Sequence, residues 1–137
     1  MKRDWELIRK QLLDIEEEKN PFSDIPVKPD FKDQDWDTYK KQLDEFQAIE
    51  TRFFGHLELL TDAGYIDGLT VKRSSDGKFS YGLHSPRLTM EGHDLLDTMR
   101  SASIWEKIKV TAKAKGIELT VDAIKALGNF VITRVLE

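Results

Sequence analysis

The 137-residue chain contains no cysteine, which excludes a disulfide scaffold and a thiolate metal site. It lacks any apolar run near the ~20 residues that a membrane-spanning helix needs. Its first residues, MKRDWELIRKQ, show no apolar stretch after the basic start, so they do not read as a signal peptide. These absences make a cytoplasmic protein without membrane association the expectation. Proline is scarce, and three of the four prolines fall between Asn20 and Asp37, so regular structure is interrupted mainly there. No charge sign dominates: 21 basic against 25 acidic residues leave a formal net charge of −4. That balance argues against a protein that coats nucleic acid non-specifically. No internal repeat or low-complexity tract is present. What remains, 39% hydrophobic and 34% charged residues, suits one well-solvated domain with a modest core.

The pattern that is present begins with a helix from Asp4 to Glu18, with Asp4 as its N-cap and Trp5, Ile8, Leu12 and Ile15 on one stripe. Asn20-Pro21 ends it, and Glu16, Glu17 and Glu18 at the negative end of its dipole predict a fraying last turn. Residues 20–37 form an acidic, proline-containing loop, with room for a short strand at Ile25–Lys28. Phe22, Phe31 and Trp36 predict that part of this loop packs back on the body. A second helix is expected over Thr38–Gln47 and a third over Ile49–Ala63, the latter burying Ile49, Phe53, Leu57 and Leu60. Propensity leaves open whether the two are separate or continuous.

Gly64 supplies a left-handed helix stop. Tyr65, Ile66, Leu69 and Val71 then read as a strand, Ser74-Ser75-Asp76-Gly77 as a hairpin tip, and Lys78–Leu83 as the returning strand, broken by Pro86. Thr89 caps a fourth helix, Met90 to Arg100. Ser103 starts a fifth that Gly116 closes, and Thr120 caps a sixth carrying Val121, Ile124, Leu127, Val131 and Val135, widened by Ala123, Phe130 and Ile132. The expected class is α+β, mostly α: a winged helix-turn-helix over residues 1–100, with a two-stranded hairpin wing and an extra C-terminal helical pair over 101–137. The apolar surplus of that pair either completes the core or buries a homodimer interface.

Several blocks of the chain resemble a known family. Met1-Lys2-Arg3-Asp4 with its Ile/Leu-rich helix, Phe54-Gly55-His56-Leu57-Glu58-Leu59-Leu60-Thr61-Asp62-Ala63-Gly64-Tyr65-Ile66, Arg87-Leu88-Thr89-Met90-Glu91-Gly92-His93-Asp94, and Trp105-Glu106-Lys107 are together similar to the bacterial and phage family known as domain of unknown function 2513. Gly55 stands where that family usually has an aromatic residue, and Met90 where tryptophan is common. The resemblance covers nearly all of the chain except the acidic region around 22–47. It implies a winged-helix-like fold, often carried on phage or mobile elements, and carries over no established activity.

Charge distribution points to a class of partner. The hairpin, 69–89, holds Lys72, Arg73, Lys78 and Arg87 against Asp76, a net of +3, whereas 48–63 has a net of −2 and 20–47 a net of −3. In a winged helix the helix before the wing enters the major groove and the wing reaches phosphates. Arg52, Gly55 and His56 are therefore the candidate groove-facing residues, and Lys72, Arg73, Ser74, Lys78 and Arg87 the candidate phosphate contacts on double-stranded DNA. The alternative is a protein-binding adaptor on the same scaffold, for which Trp36 in the acidic loop is the candidate contact. His56, His84 and His93 lie on different elements without metal-ligand spacing, so no metal is expected. His93 is expected to tie the fourth helix to the hairpin. No nucleophile elbow, phosphate-cradling glycine loop or visible triad occurs, so neither catalysis nor a cofactor is expected.

Overall fold

The computed structural model describes residues 1–136. Five helices and one antiparallel hairpin follow each other as α1 (Trp5–Glu16), α2 (Trp36–Asp62), β1 (Ile66–Arg73), β2 (Phe79–Leu88), α3 (Met90–Met99), α4 (Ala102–Lys115) and α5 (Val121–Leu136). The class is α+β, mostly helical.

Capping chemistry sets most boundaries. The Asp4 carboxylate accepts the Leu7 N–H at 3.1 Å and starts α1, and Thr89 does the same for α3 through Gly92 N–H. Gly116, at φ +65°, closes α4 in the left-handed conformation. The N-cap of α4 is Ser101, two residues before the expected Ser103, because its hydroxyl reaches Ile104 N–H. Thr120 accepts from Ala123 N–H at the start of α5.

The expected second and third helices are one 27-residue helix, about 40 Å long at 1.5 Å per residue. No glycine or proline stands between Trp36 and Phe54, so nothing in the backbone chemistry interrupts it. The short turn that would separate two helices of a helix-turn-helix is consequently not formed there. α1 and α2 are joined by residues 17–35, in which no strand forms at Ile25–Lys28. Trp36 belongs to the first turn of α2 rather than to the loop, since Asp35 caps that helix through Thr38 N–H at 2.6 Å.

β2 does not stop before Pro86. The strands pair from Arg73↔Phe79 to Leu69↔Leu83 and again at Asp67↔Arg87 and Ile66↔Leu88. Between the two stretches Gly68 stands against His84, Ser85 and Pro86, a bulge in which proline removes no ladder hydrogen bond. Gly68 has φ +79°, and a Cβ there would lie 2.5 Å from the Ser85 carbonyl oxygen.

One core runs through every element: Ile8, Leu12 and Ile15 of α1, Phe53, Phe54, Leu57 and Leu60 of α2, Ile66, Leu69 and Leu88 of the hairpin, Leu95, Leu96 and Met99 of α3, and Trp105, Ile108, Ile124, Leu127 and Val131 of the last two helices. Each fully buried aliphatic side chain among them stabilises the fold by about 1.5–3 kcal/mol. Ile49, expected inside, is 47% exposed, and Phe54 takes the buried position instead. Phe22 packs from the loop against Phe53, Phe54 and Tyr81. Among the described residues no helix is long and apolar enough to cross a membrane.

Candidate functional site

The sequence directs attention to one face of α2 and to the hairpin beside it, and the structure assigns the two faces of that assembly very different surroundings. His56 is completely buried. Its Nε2 accepts the Asp4 backbone N–H at 2.8 Å, so the ring proton is on Nδ1, which donates to the Arg52 carbonyl oxygen at 2.7 Å. Burial, reinforced by the nearby Arg52 charge, pushes its pKa below the usual histidine value. His56 therefore does not face a groove; it ties the start of α1 to the middle of α2.

Gly55 is also covered. A Cβ at that position would sit 2.7 Å from the Met1 Sδ, so the lack of a side chain lets the N-terminal residues lie across the helix. Arg52 remains largely exposed but forms an ion pair with the Asp4 carboxylate. Arg73, expected on phosphate, turns back to α2: its Nε donates to both Glu58 carboxylate oxygens at 3.1 and 3.2 Å, and its guanidinium lies 5.3 Å from the Phe79 ring centroid. The expected DNA-reading surface is thus occupied by Met1, Asp4 and Arg73.

The remaining hairpin candidates divide. Lys72 and Lys78 are exposed and enter none of the ion pairs among the described residues. Ser74 is spent on the turn, donating to Asp76 and, at 2.9 Å, to the Lys78 carbonyl oxygen. Arg87 pairs with Asp67 across the strands at 2.9 Å. Its partner lies six residues along β1 from Arg73, about 20 Å from the tip, so Arg87 shares no site with Lys72 and Lys78. A cleft of about 390 Å³ separates the tip from α2, with Lys28, Phe46, Gln47, Lys78 and Phe79 on its walls.

Trp36 has the opposite environment. It is 63% exposed at the start of α2, about 24 Å along the axis from Arg52 at 1.5 Å per residue. Phe31, 56% exposed, approaches it to 6.5 Å between ring centroids, and Tyr39 lies 5.7 Å from Trp36 and 5.4 Å from Phe31. Phe31 and Tyr39 were not singled out by sequence as contacts. The i, i+3 spacing of Trp36 and Tyr39 on a helix is the signal that could have paired them. Among the described residues no group of three or more histidine and carboxylate side chains is arranged to hold a metal ion. His93 faces Glu16 of α1 at 3.4 Å rather than the hairpin.

The blocks that carry the family resemblance meet in space. Thr89 donates through Oγ1 to the Gly64 carbonyl oxygen at 2.5 Å and through its backbone to that of Tyr65 at 3.1 Å. A Cβ on Gly92 would come within 2.1 Å of the same Tyr65 oxygen, so the Ala-Gly-Tyr-Ile and Arg-Leu-Thr-x-x-Gly segments form one packing joint. In keeping with this, residues 2–118 match the model of the family described as "Hypothetical protein (DUF2513)". The chain belongs to this family. A Haemophilus influenzae relative, described as "Uncharacterized protein", is 31% identical over 137 residues, covering 99% of each chain. That similarity continues through α5, beyond the end of the family match. No solved structure matches the chain.

Proposed function

We propose that the protein is a protein-binding adaptor that presents the N-terminal arm of α2 to its partner. The observation that carries this reading is the contrast along α2. The helix face on which DNA recognition would depend is filled by Met1, Asp4 and Arg73, whereas the exposed Phe31 and Trp36 form an aromatic cluster with the half-buried Tyr39. Exposed aromatic rings of this kind supply large contact area at low conformational cost and are enriched at protein interfaces.

A second reading, binding of double-stranded DNA by the hairpin, is favoured by Lys72 and Lys78 at the tip. Two such contacts make weak binding with a shallow salt slope unless the protein dimerises. Fluorescence anisotropy with mixed double-stranded DNA fragments at low and moderate salt separates the readings. The adaptor reading expects no binding at moderate salt, together with protein crosslinks from a photoreactive amino acid at position 36 but not at position 72. Binding that falls with salt and collapses in the Lys72→Glu/Lys78→Glu variant would overturn it in favour of DNA.

A further inference from the structure

We propose that the cluster of Phe31, Trp36 and Tyr39 is a docking platform for a lysine- or arginine-rich segment of a partner protein. This rests on the adaptor reading and names the chemistry of the partner. Three aromatic rings pack together, with centroids 5.4–6.5 Å apart, and two of them, Phe31 and Trp36, are more than half exposed. The negative face of such a ring attracts ammonium and guanidinium groups. Near them in sequence stand Asp30, Asp33, Asp35 and Asp37, against Lys32, Lys40 and Lys41, a net of −1 over positions 30–41.

The start of a helix ordinarily carries partial positive charge that would favour an anion. Here Asp35 accepts the Thr38 N–H and Asp37 occupies the first turn, so two carboxylates offset that partial charge. The Thr38 bond also holds the Asp35 carboxyl below its usual pKa, which keeps it ionised. Lys40 and Lys41 bound the patch one turn further along. The slight acidic excess and the negative ring faces favour a cation over a polyanion. A cationic segment satisfies both the rings and the carboxylates.

The test is selection from a random peptide library displayed on phage, panned against the full chain and against its Trp36→Ala variant, with far-UV circular dichroism confirming that the variant is folded. The expected result is enrichment of lysine- and arginine-rich sequences on the wild type only. A synthetic peptide of that set loses roughly tenfold in affinity on Trp36→Ala. The losses on Phe31→Ala and on Asp30→Asn/Asp33→Asn/Asp37→Asn go in the same direction. Trp36-dependent sequences without basic enrichment would overturn the cationic partner while leaving the adaptor reading standing. Absence of any Trp36-dependent sequence would overturn both.

Discussion

His56 carries the clearest chemistry of any single side chain, and it is structural chemistry. Its ring accepts the backbone N–H of Asp4, the residue that caps α1, and donates to the carbonyl of Arg52. Protonation would place a second N–H against that of Asp4 in a buried site. The folded protein therefore holds His56 neutral, its pKa lowered by burial, whereas the unfolded chain takes up a proton near pH 6.5. The unfolded state then binds more protons as acidity rises, so stability is full above about pH 6.5 and is lost as pH falls through the lower folded value. Urea denaturation between pH 7.5 and pH 5 should show this loss, and His56→Gln should flatten it; an unchanged slope in the variant would remove His56 as the cause. Arg9 ties the first helix to the end of α3, its Nε and Nη2 donating to the Met99 and Arg100 carbonyl oxygens at 2.6 and 2.7 Å. Arg9→Ala should cost about 1.5–3 kcal/mol, as for hydrogen bonds to a charged group. Lys10→Ala, which removes only surface pairs with Asp14 and Asp24, should cost less than about 1 kcal/mol in the same denaturation experiment.

At the scale of elements, α2 shows how a missing breaker matters more than a missing hydrophobic stripe. Its N-terminal half buries little, with Leu43 and Phe46 only half-buried, and is helical because it is continuous with a half that is held firmly by Phe53, Phe54 and Leu57. Ala48→Pro would remove one helical hydrogen bond at the junction and clash with the preceding turn, at about 3 kcal/mol. Far-UV circular dichroism should then lose the helicity of residues 36–47, while the near-UV signal of buried Trp105 persists. Loss of both signals together would mean that the arm is part of the core's cooperative unit. The hairpin and α3 meet at Gly92, which admits no side chain. Gly92→Ala drives a methyl group into the Tyr65 carbonyl oxygen, and overpacking of this kind costs about 1–3 kcal/mol, measurable as a lowered urea midpoint. At Gly116, where nothing lies within 4 Å of an added Cβ, alanine should pay only for its positive φ, about 1 kcal/mol.

Over the whole molecule, α1 is the element that the others share. Glu6 accepts Trp105 Nε1–H at 3.0 Å and pairs with Lys109 of α4, Glu16 pairs with Arg100 after α3, and Trp5 donates to the Leu119 carbonyl oxygen before α5. These polar ties surround one core, so the last two helices complete it through Trp105, Ile108, Ile124, Leu127 and Val131. Phe130, Ile132 and Val135 of the expected stripe remain at least one-third exposed. A great deal of this was legible in order along the chain: the caps Asp4, Thr89 and Thr120, the stops Gly64 and Gly116, and the Asp76-Gly77 turn act on backbone groups within a few residues, so local chemistry sufficed. The continuity of α2 was left open, and the bulge that absorbs Pro86 and the true cap at Ser101 were missed, because each depends on a competition between neighbouring alternatives of similar local free energy. The candidate site was the least legible part. Arg52, Gly55 and His56 share a helical neighbourhood in sequence, but their accessibility is decided by Met1 and Asp4, about fifty residues away, and the charge of Arg73 is cancelled by Glu58 on another element. The sequence by itself determined the order and type of the elements and the sign of charge on each, because those follow from local backbone and side-chain chemistry. Only the tertiary structure decided which face of α2 meets water, because burial is a property of what the chain folds against.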